Sequence, residues 1–481
     1  MCGRGCVINA GTPGVSMSAT LLRFAATLFS AQPEVAAEFV AFAAELDGVP
    51  LPPAARNMTL SDASFGYYRS DYVIHRRNGW SASWKGRSNR TIPARCVNND
   101  SKMSADTGEG STFVYRSDED GSAHAGIWPV INWQQFPGVT VLQGTLQPCN
   151  WTYTYAEYPT FVGTASNDGY TMAAQTIGSH GLTARRSWLF LDDAVVSMVS
   201  NLKVDARSSS SNGGVQTTLA NQRLASNVTI TFANGTTRQL LSEGNHTFAA
   251  SALRSVWHNH TTYRFTATTS AATVDIENGQ RNGDYYRIST THKPASGRIF
   301  RISYRHALPN DRDDDTAAGL LGYAAVPNSE RQTGSTAATT VLDSNTHTIA
   351  DLSAGIAAVS LWKAGSVKVG AFTLGASSPC LMLIRGGLLV APPSQPQGAM
   401  QPTLFQQQHE RKQARQLTIA VSNPDQPSGL LLTVLVRYSM PAKSVSGAGC
   451  VLTVPGAEAE VKVTLPGGQQ MGQTVVCVLG F

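Results

Sequence analysis

Four of the chain's eight tryptophans, Trp80, Trp84, Trp128 and Trp133, lie between Asp71 and Gln143. The same stretch is rich in arginine, asparagine and Gly/Pro turns: DYVIHRRNGWSASWKGRSNRT, ARCVNNDSKMSADTGEGSTFVYR and HAGIWPVINWQQFPGVTV. Flat apolar faces stack on sugar rings, and guanidinium forks hold carboxylates through paired hydrogen bonds. The chemistry this points to is recognition of an acidic sugar in a groove. The competing readings are core packing for any single tryptophan and a surface ion pair for any single arginine.

Other constellations carry less. Tyr72 and His75 are three apart, so on a strand over Asp71–Arg76 their side chains face opposite sides and do not form a base pair. His258 and His260 alternate in a way that would place two imidazoles on one strand face, but no third metal ligand follows at a suitable spacing. The acidic run 310–315 lacks the glycine and terminal glutamate of a calcium loop, which favours a solvated turn. Asp192 and Asp193 are adjacent and diverge on a strand, unlike a glycosidase pair. No nucleophile elbow, phosphate loop or dinucleotide fingerprint occurs, and nothing calls for a cofactor.

The elements that must position these residues are mostly strands. Charged residues make up 14% of the 481, and Thr, Val and aromatics are plentiful, which suggests extensive β structure. A net charge of +5 suits an anionic partner, yet no Lys/Arg block resembles a nucleic-acid arm. Residues 17–46 carry the long helical pattern, with Leu21, Leu22, Phe24 and Ala25 on one face and Pro33 opening a second helix. A hairpin of two helices cannot bury both faces alone, so this stretch suggests the tail of a larger helical domain. From Met58 onward, short segments such as 187–202, 227–233, 262–269 and 298–306 alternate or run apolar between turn residues, predicting large antiparallel sheets packed face to face. A Pro/Gln-rich stretch after residue 390 suggests a linker, followed by a small β-sandwich.

Seven cysteines without a CxxC pair argue against a zinc ribbon; Cys450 and Cys477 are close enough in sequence to pair within the last unit. Sequons at Asn57, Asn89, Asn99, Asn150, Asn227, Asn234, Asn245 and Asn259 favour secretion. The segment MCGRGCVINAG lacks the pattern of a leader peptide, and no run is long enough to span a membrane. The expectation is either an intracellular protein or a chain whose true N-terminus lies upstream.

Laid out in order, four segments resemble polysaccharide lyase family 8, the hyaluronate, chondroitin AC and xanthan lyases. SNRT at 88–91, then Asn98 and Glu109-Gly110, is similar to the family's Ser-x-Arg-Thr, Asn-x-Glu-Asn and Ser-Asp-Gly run. IWPVINWQQFPGVTV at 127–141 resembles its Trp-Pro and Pro-Gly-Thr-Thr signature. ARRSWLFLDDAVVSM at 184–198 and VQTTLANQRL at 215–224 resemble the strands that follow.

The resemblance implies a mainly β protein with three parts. A short remnant of an α/α toroid (1–56) precedes a large antiparallel β-sandwich or supersandwich domain (57–390), and a small C-terminal β-sandwich (391–481) follows. It implies β-elimination on a uronic-acid polysaccharide such as hyaluronan, chondroitin or xanthan, in an extracellular setting. In such a lyase the substrate carboxylate is neutralised and a tyrosine, helped by arginine, takes the C5 proton. By that resemblance Arg90 and Arg95 are the catalytic candidates, and Trp80, Trp84, Asn98 and Trp128 the substrate-binding ones.

The family's Asn, His and Tyr precede a Gly-Arg-x-Ile-Ser-Arg segment that resembles Gly3-Arg4-Gly5, so they have no counterpart here. Its Asn-x-Glu-Asn is kept only in part, as Asn98-Asn99-Asp100-Ser101. The expectation is therefore a lyase whose 481 residues are weak or inactive alone, with a non-catalytic carbohydrate-binding or structural β protein as the alternative.

Overall fold

The computed structural model describes residues 19–47, 62–77, 79–91, 102–116, 122–124, 126–144, 158–167, 169–205, 214–268, 271–307, 320–329, 338–343, 345–386, 389, 416–425, 430–467, 470 and 472–481. Helix α1 (Ala19–Leu28) and helix α2 (Pro33–Asp47) form a hairpin. Pro33 opens α2, where its missing N–H is no loss. Leu22 and Ala43 bury between the helices with Phe39, which stacks on Phe29. The expected apolar face is only partly covered: Leu22 is buried, but Leu21 and Phe24 are 59% and 58% exposed.

Apart from short 3-10 turns, the remaining described elements are strands of antiparallel sheets. A nine-stranded sheet lies at the centre, with Leu182–Phe190 between Tyr170–Ser179 and Val195–Val204. Both of its faces are covered, so alternation gives way to continuous burial along Trp188, Leu189 and Phe190. Trp188 and Phe190 pack against Val73, Trp80 and Trp84 of a four-stranded sheet over residues 63–116. Further along the same face, Leu182 and Ala184 meet Val274, Phe300 and Ile302 of a five-stranded sheet. Leu189 and Met198 point the other way, onto Ile356, Leu381 and Leu383 of a seven-stranded sheet. A second five-stranded sheet closes the far side of the seven-stranded one through Phe372, Leu374, Val434 and Val461.

Two expectations change. Residues 187–202 are two strands rather than one, broken by a turn in which the Leu191 N–H donates to the Ala194 carbonyl. Asp192-Asp193 supplies that turn, as short acidic side chains favour. The composition change near 390 does not divide the sheets. Leu381 pairs with Ser422 and Thr373 with Arg437, so strands from both sides of it share two sheets and one core. The linker itself lies outside the described residues, as does the acidic run 310–315. Cys450 and Cys477 are bonded and join the last two sheets.

Candidate functional site

Strand Trp80–Lys85 ends at Gly86, and the chain then folds SNRT over the opening of strand Tyr72–Arg77. At the centre is Asp71, fully buried and held at φ +47°, a left-handed conformation that Asp tolerates better than most residues. Its Oδ2 accepts from Ser88 Oγ at 2.5 Å and Thr91 Oγ1 at 2.7 Å, and its Oδ1 from Arg90 Nη2 at 3.1 Å. Arg90 also donates to the carbonyls of Thr160 (3.1 Å) and Val162 (2.6 Å), which ties the turn to the edge of the nine-stranded sheet. Its side chain is 24% exposed.

The neighbouring motif residues form a second buried network. Arg87 is ion-paired with Glu109, and its guanidinium lies 4.1 Å from the Tyr158 ring centroid. Gln175 donates to the Gly108 carbonyl at 3.1 Å and to Glu109 Oε2 at 3.4 Å. Buried Asp106 meets His180 at 3.2 Å and Gln134 at 3.3 Å. Arg186 is wholly buried, stacks on Trp188, and donates to the Gly138 carbonyl and to Ser197. A Cβ on Gly138 (φ +85°) would sit 2.2 Å from the Thr112 nitrogen. Glu109-Gly110, the Pro-Gly turn and the ARRSW strand thus meet in space, and Arg87, paired with Glu109, joins them to the SNRT turn that follows it in sequence.

The family model for "polysaccharide lyase family 8, super-sandwich domain" matches residues 63–338, more than half of the chain and all of this network. The chain belongs to polysaccharide lyase family 8. It is 22% identical over 326 residues to chondroitinase-AC of Pedobacter heparinus, a match covering 66% of this chain and 44% of that protein. Its fold is that of a chondroitinase AC lyase solved with oligosaccharides (TM-score 0.73, 18% identity, 95% of this chain and 59% of that one). It is equally that of a Paenibacillus xanthan lyase (TM-score 0.73, 16% identity, 96% and 44%). The chain therefore spans less than two thirds of the length of each of these relatives. The match ends at residue 338, close to where the seven-stranded sheet begins and well before residue 390.

Within this family 8 framework the expected groove residues separate. Trp80 and Trp84, expected to bind substrate, are 5% and 0% exposed. Trp84 packs on Trp188 with ring centroids 5.2 Å apart, and Trp80 donates to the Asp192 carbonyl at 3.1 Å. Neither can present a face to a sugar, because both faces are spent between the four- and nine-stranded sheets. Trp128 is half-buried, stacked on His124 and Phe136, and Trp133 is core. Arg95 and Asn98 lie outside the described residues.

Tyr72 and His75 do face opposite sides: His75 is buried, bonded to Ser64 Oγ and the Leu191 carbonyl, while Tyr72 points away. His258 and His260 do not share a strand face. The strand ends at His258, which stacks on Phe300, and Asn259 and His260 turn at positive φ. The residues that sequence reasoning missed are Asp71, Arg87 and Arg186. Their signal was present but ambiguous, since a charged residue beside a Gly or Ser turn looks like surface until its partners arrive from distant strands.

Burial holds His124, His258 and His347 down to about 3, and burial together with the charge of Arg77 does the same for His75. Each is a weak base near neutral pH. Tyr170 lies beside Arg77 and Arg385, yet burial and its hydrogen bond to Asp192 push it up to about 12. Burial likewise raises Tyr72. A tyrosine base needs the opposite shift. Burial lowers Lys85 to about 8, and its ammonium donates to the Ser70 carbonyl at 2.8 Å.

Proposed function

We propose that this chain serves the lyase chemistry of its family by holding a uronic-acid polysaccharide of the hyaluronan, chondroitin or xanthan type, and that its 481 residues alone turn the polymer over weakly or not at all. The observation that carries this is the SNRT turn. Its arginine is fixed by Asp71 and two carbonyls while remaining a quarter exposed, and it leads directly into the sequence that carries Arg95 and Asn98. In this reading Arg90 is a positioning residue first. It fixes the turn and contributes positive charge towards a substrate carboxylate. Arg95 and Asn98 are the groups assigned to direct contact, and Trp128, although its ring stacks on His124 and Phe136, is the one tryptophan of the original four with surface left to meet a sugar, at its exposed edge.

A second reading, a carbohydrate-binding protein without catalysis, is favoured by the same tuning. The buried histidines and the two raised tyrosines lack the basicity and ionisation that proton abstraction requires. The experiment follows ultraviolet absorbance of the unsaturated uronate product with the purified chain on hyaluronan, chondroitin sulfate and xanthan, alongside direct measurement of polymer binding. Binding with a flat trace is expected. Robust turnover would overturn the assignment of weak activity, and absence of binding to all three would overturn the carbohydrate role.

A further inference from the structure

The hairpin between strands Thr273–Asp284 and Pro294–Arg305 ends in an exposed cluster of rings and cations that the network above does not use. Its backbone is firmly built. Asp284 caps a short 3-10 turn by accepting from the Tyr286 N–H at 2.7 Å and from the Lys293 N–H at 3.1 Å. Ile288 is fully buried among Ile127, Trp133 and Ile299, with Trp128 and Tyr285 packed against the same core. At Gly283 an added Cβ would lie 2.0 Å from the Pro129 carbonyl oxygen, so the hairpin is pressed onto the Trp-Pro loop.

On this base Tyr286 organises charge. The residue is 48% exposed, yet its ring carries two close neighbours. His292 stacks on it at 3.9 Å and 12°, and Lys102 Nζ lies 4.4 Å from its centroid. The phenol ring is thus the common contact of both groups and holds them close to one another. Lys102 Nζ also donates to the Tyr286 carbonyl, and its backbone N–H to that of Ile288. Lys293 Nζ lies 5.7 Å from the Tyr285 ring, and Arg287 is exposed between them in sequence. The acid facing this group is Asp284, 4.0 Å from His292 and already committed to two backbone donors. Cation–π contacts hold ammonium groups in place without neutralising them, which is what an anion-binding surface needs.

We propose that Lys102, His292 and Lys293, ordered by Tyr286 and Tyr285, form with the exposed Arg287 beside them in sequence a second subsite that binds the carboxylate or sulfate groups of an acidic polysaccharide chain. The occupant is committed by charge and by continuity. The cluster is cationic, it shares a hydrophobic floor with Trp128, and Lys102 is four residues from Asn98 in sequence. The Tyr286 ring is already engaged by His292 and Lys102, and its part is to order them. The cations do the binding, and the ring sets their spacing. This proposal rests on the reading that the chain holds acidic polysaccharide.

The test compares the 481-residue chain with Lys102→Met/Lys293→Met, Tyr286→Ala and Tyr286→Phe for affinity towards chondroitin sulfate, hyaluronan and neutral dextran. A second arm measures protection of Lys102 and Lys293 from acetylation by bound chondroitin sulfate, read by mass spectrometry. The double lysine variant is expected to lose affinity by about fivefold for each lysine, with dextran unaffected. Tyr286→Phe is expected to keep affinity because the ring is kept, and Tyr286→Ala to lose it. Equal loss for hyaluronan and chondroitin sulfate assigns carboxylate as the bound group, and a larger loss for chondroitin sulfate assigns sulfate. If wild type binds while the lysine variant is unchanged and neither lysine is protected, the subsite is overturned and the polysaccharide reading stands. Absence of wild-type binding overturns both.

Discussion

Replacing Asp71 should open the SNRT turn while leaving the sheets folded. The carboxylate is fully buried and accepts hydrogen bonds from Ser88, Thr91 and the Arg90 guanidinium. Removing one partner of a buried ion pair costs about 3–5 kcal/mol. Arg90 is 24% exposed and keeps its bonds to Thr160 and Val162, so Asp71→Ala belongs at the lower end, about 3 kcal/mol. Asp71→Asn keeps acceptor capacity and tolerates the positive φ, so it removes mainly the charge, about 1.5 kcal/mol.

Hydrogen exchange reads the change locally. The Arg90 N–H donates to Ser88 Oγ and the Thr91 N–H to the Ser88 carbonyl, so both amides report opening of this turn. Exchange in a peptide covering 86–91 should accelerate by roughly 100-fold in Asp71→Ala and about tenfold in Asp71→Asn. A peptide from strand Gln416–Ser422 should be unchanged. Exchange within threefold of wild type in Asp71→Ala would refute the claim that this carboxylate holds the turn.

Acid should weaken the fold before carboxylates titrate. His75, His124, His258 and His347 are held neutral to about 3 in the folded state, whereas they protonate near 6.5 when unfolded. Between those values the unfolded chain binds more protons, so stability falls as pH drops, by up to about 1.4 kcal/mol per pH unit for each histidine. Urea midpoints from pH 7 to 5 should decline, and His347→Gln should decline less steeply; a flat profile would contradict the burial. Breaking Cys450–Cys477, which closes 27 residues and staples two sheets, should cost about 3 kcal/mol, seen as a lower urea midpoint for the C-terminal sandwich in Cys450→Ala/Cys477→Ala. An unchanged midpoint would mean that the shared core alone sets its stability.

The strands were legible because side-chain alternation is local: 227–233, 262–269 and 298–306 all fall within observed strands or at their ends. The family order was legible for a related reason. SNRT, Glu109-Gly110, the Pro-Gly turn and ARRSW are short stretches whose residue types are dictated by tight turns and buried partners, and such constraints appear directly in sequence. What the sequence could not decide was which face meets which sheet. Trp80 and Trp84 have the residue type and spacing of a sugar platform, and only the arrival of Trp188 and Phe190 from 100 residues away makes them core. Asp71 read as the start of a strand, and only the folding of SNRT over it makes its carboxylate the centre of a network. Strands on either side of residue 390 proved to share two sheets, because hydrogen-bonded pairing ignores a change in composition. Tyr286 and Lys102 lie 184 residues apart. Their pairing, and the charge surface it creates, exists only where the chain brings the hairpin end, the Trp-Pro loop and Lys102 together, a tertiary contact invisible to any local pattern.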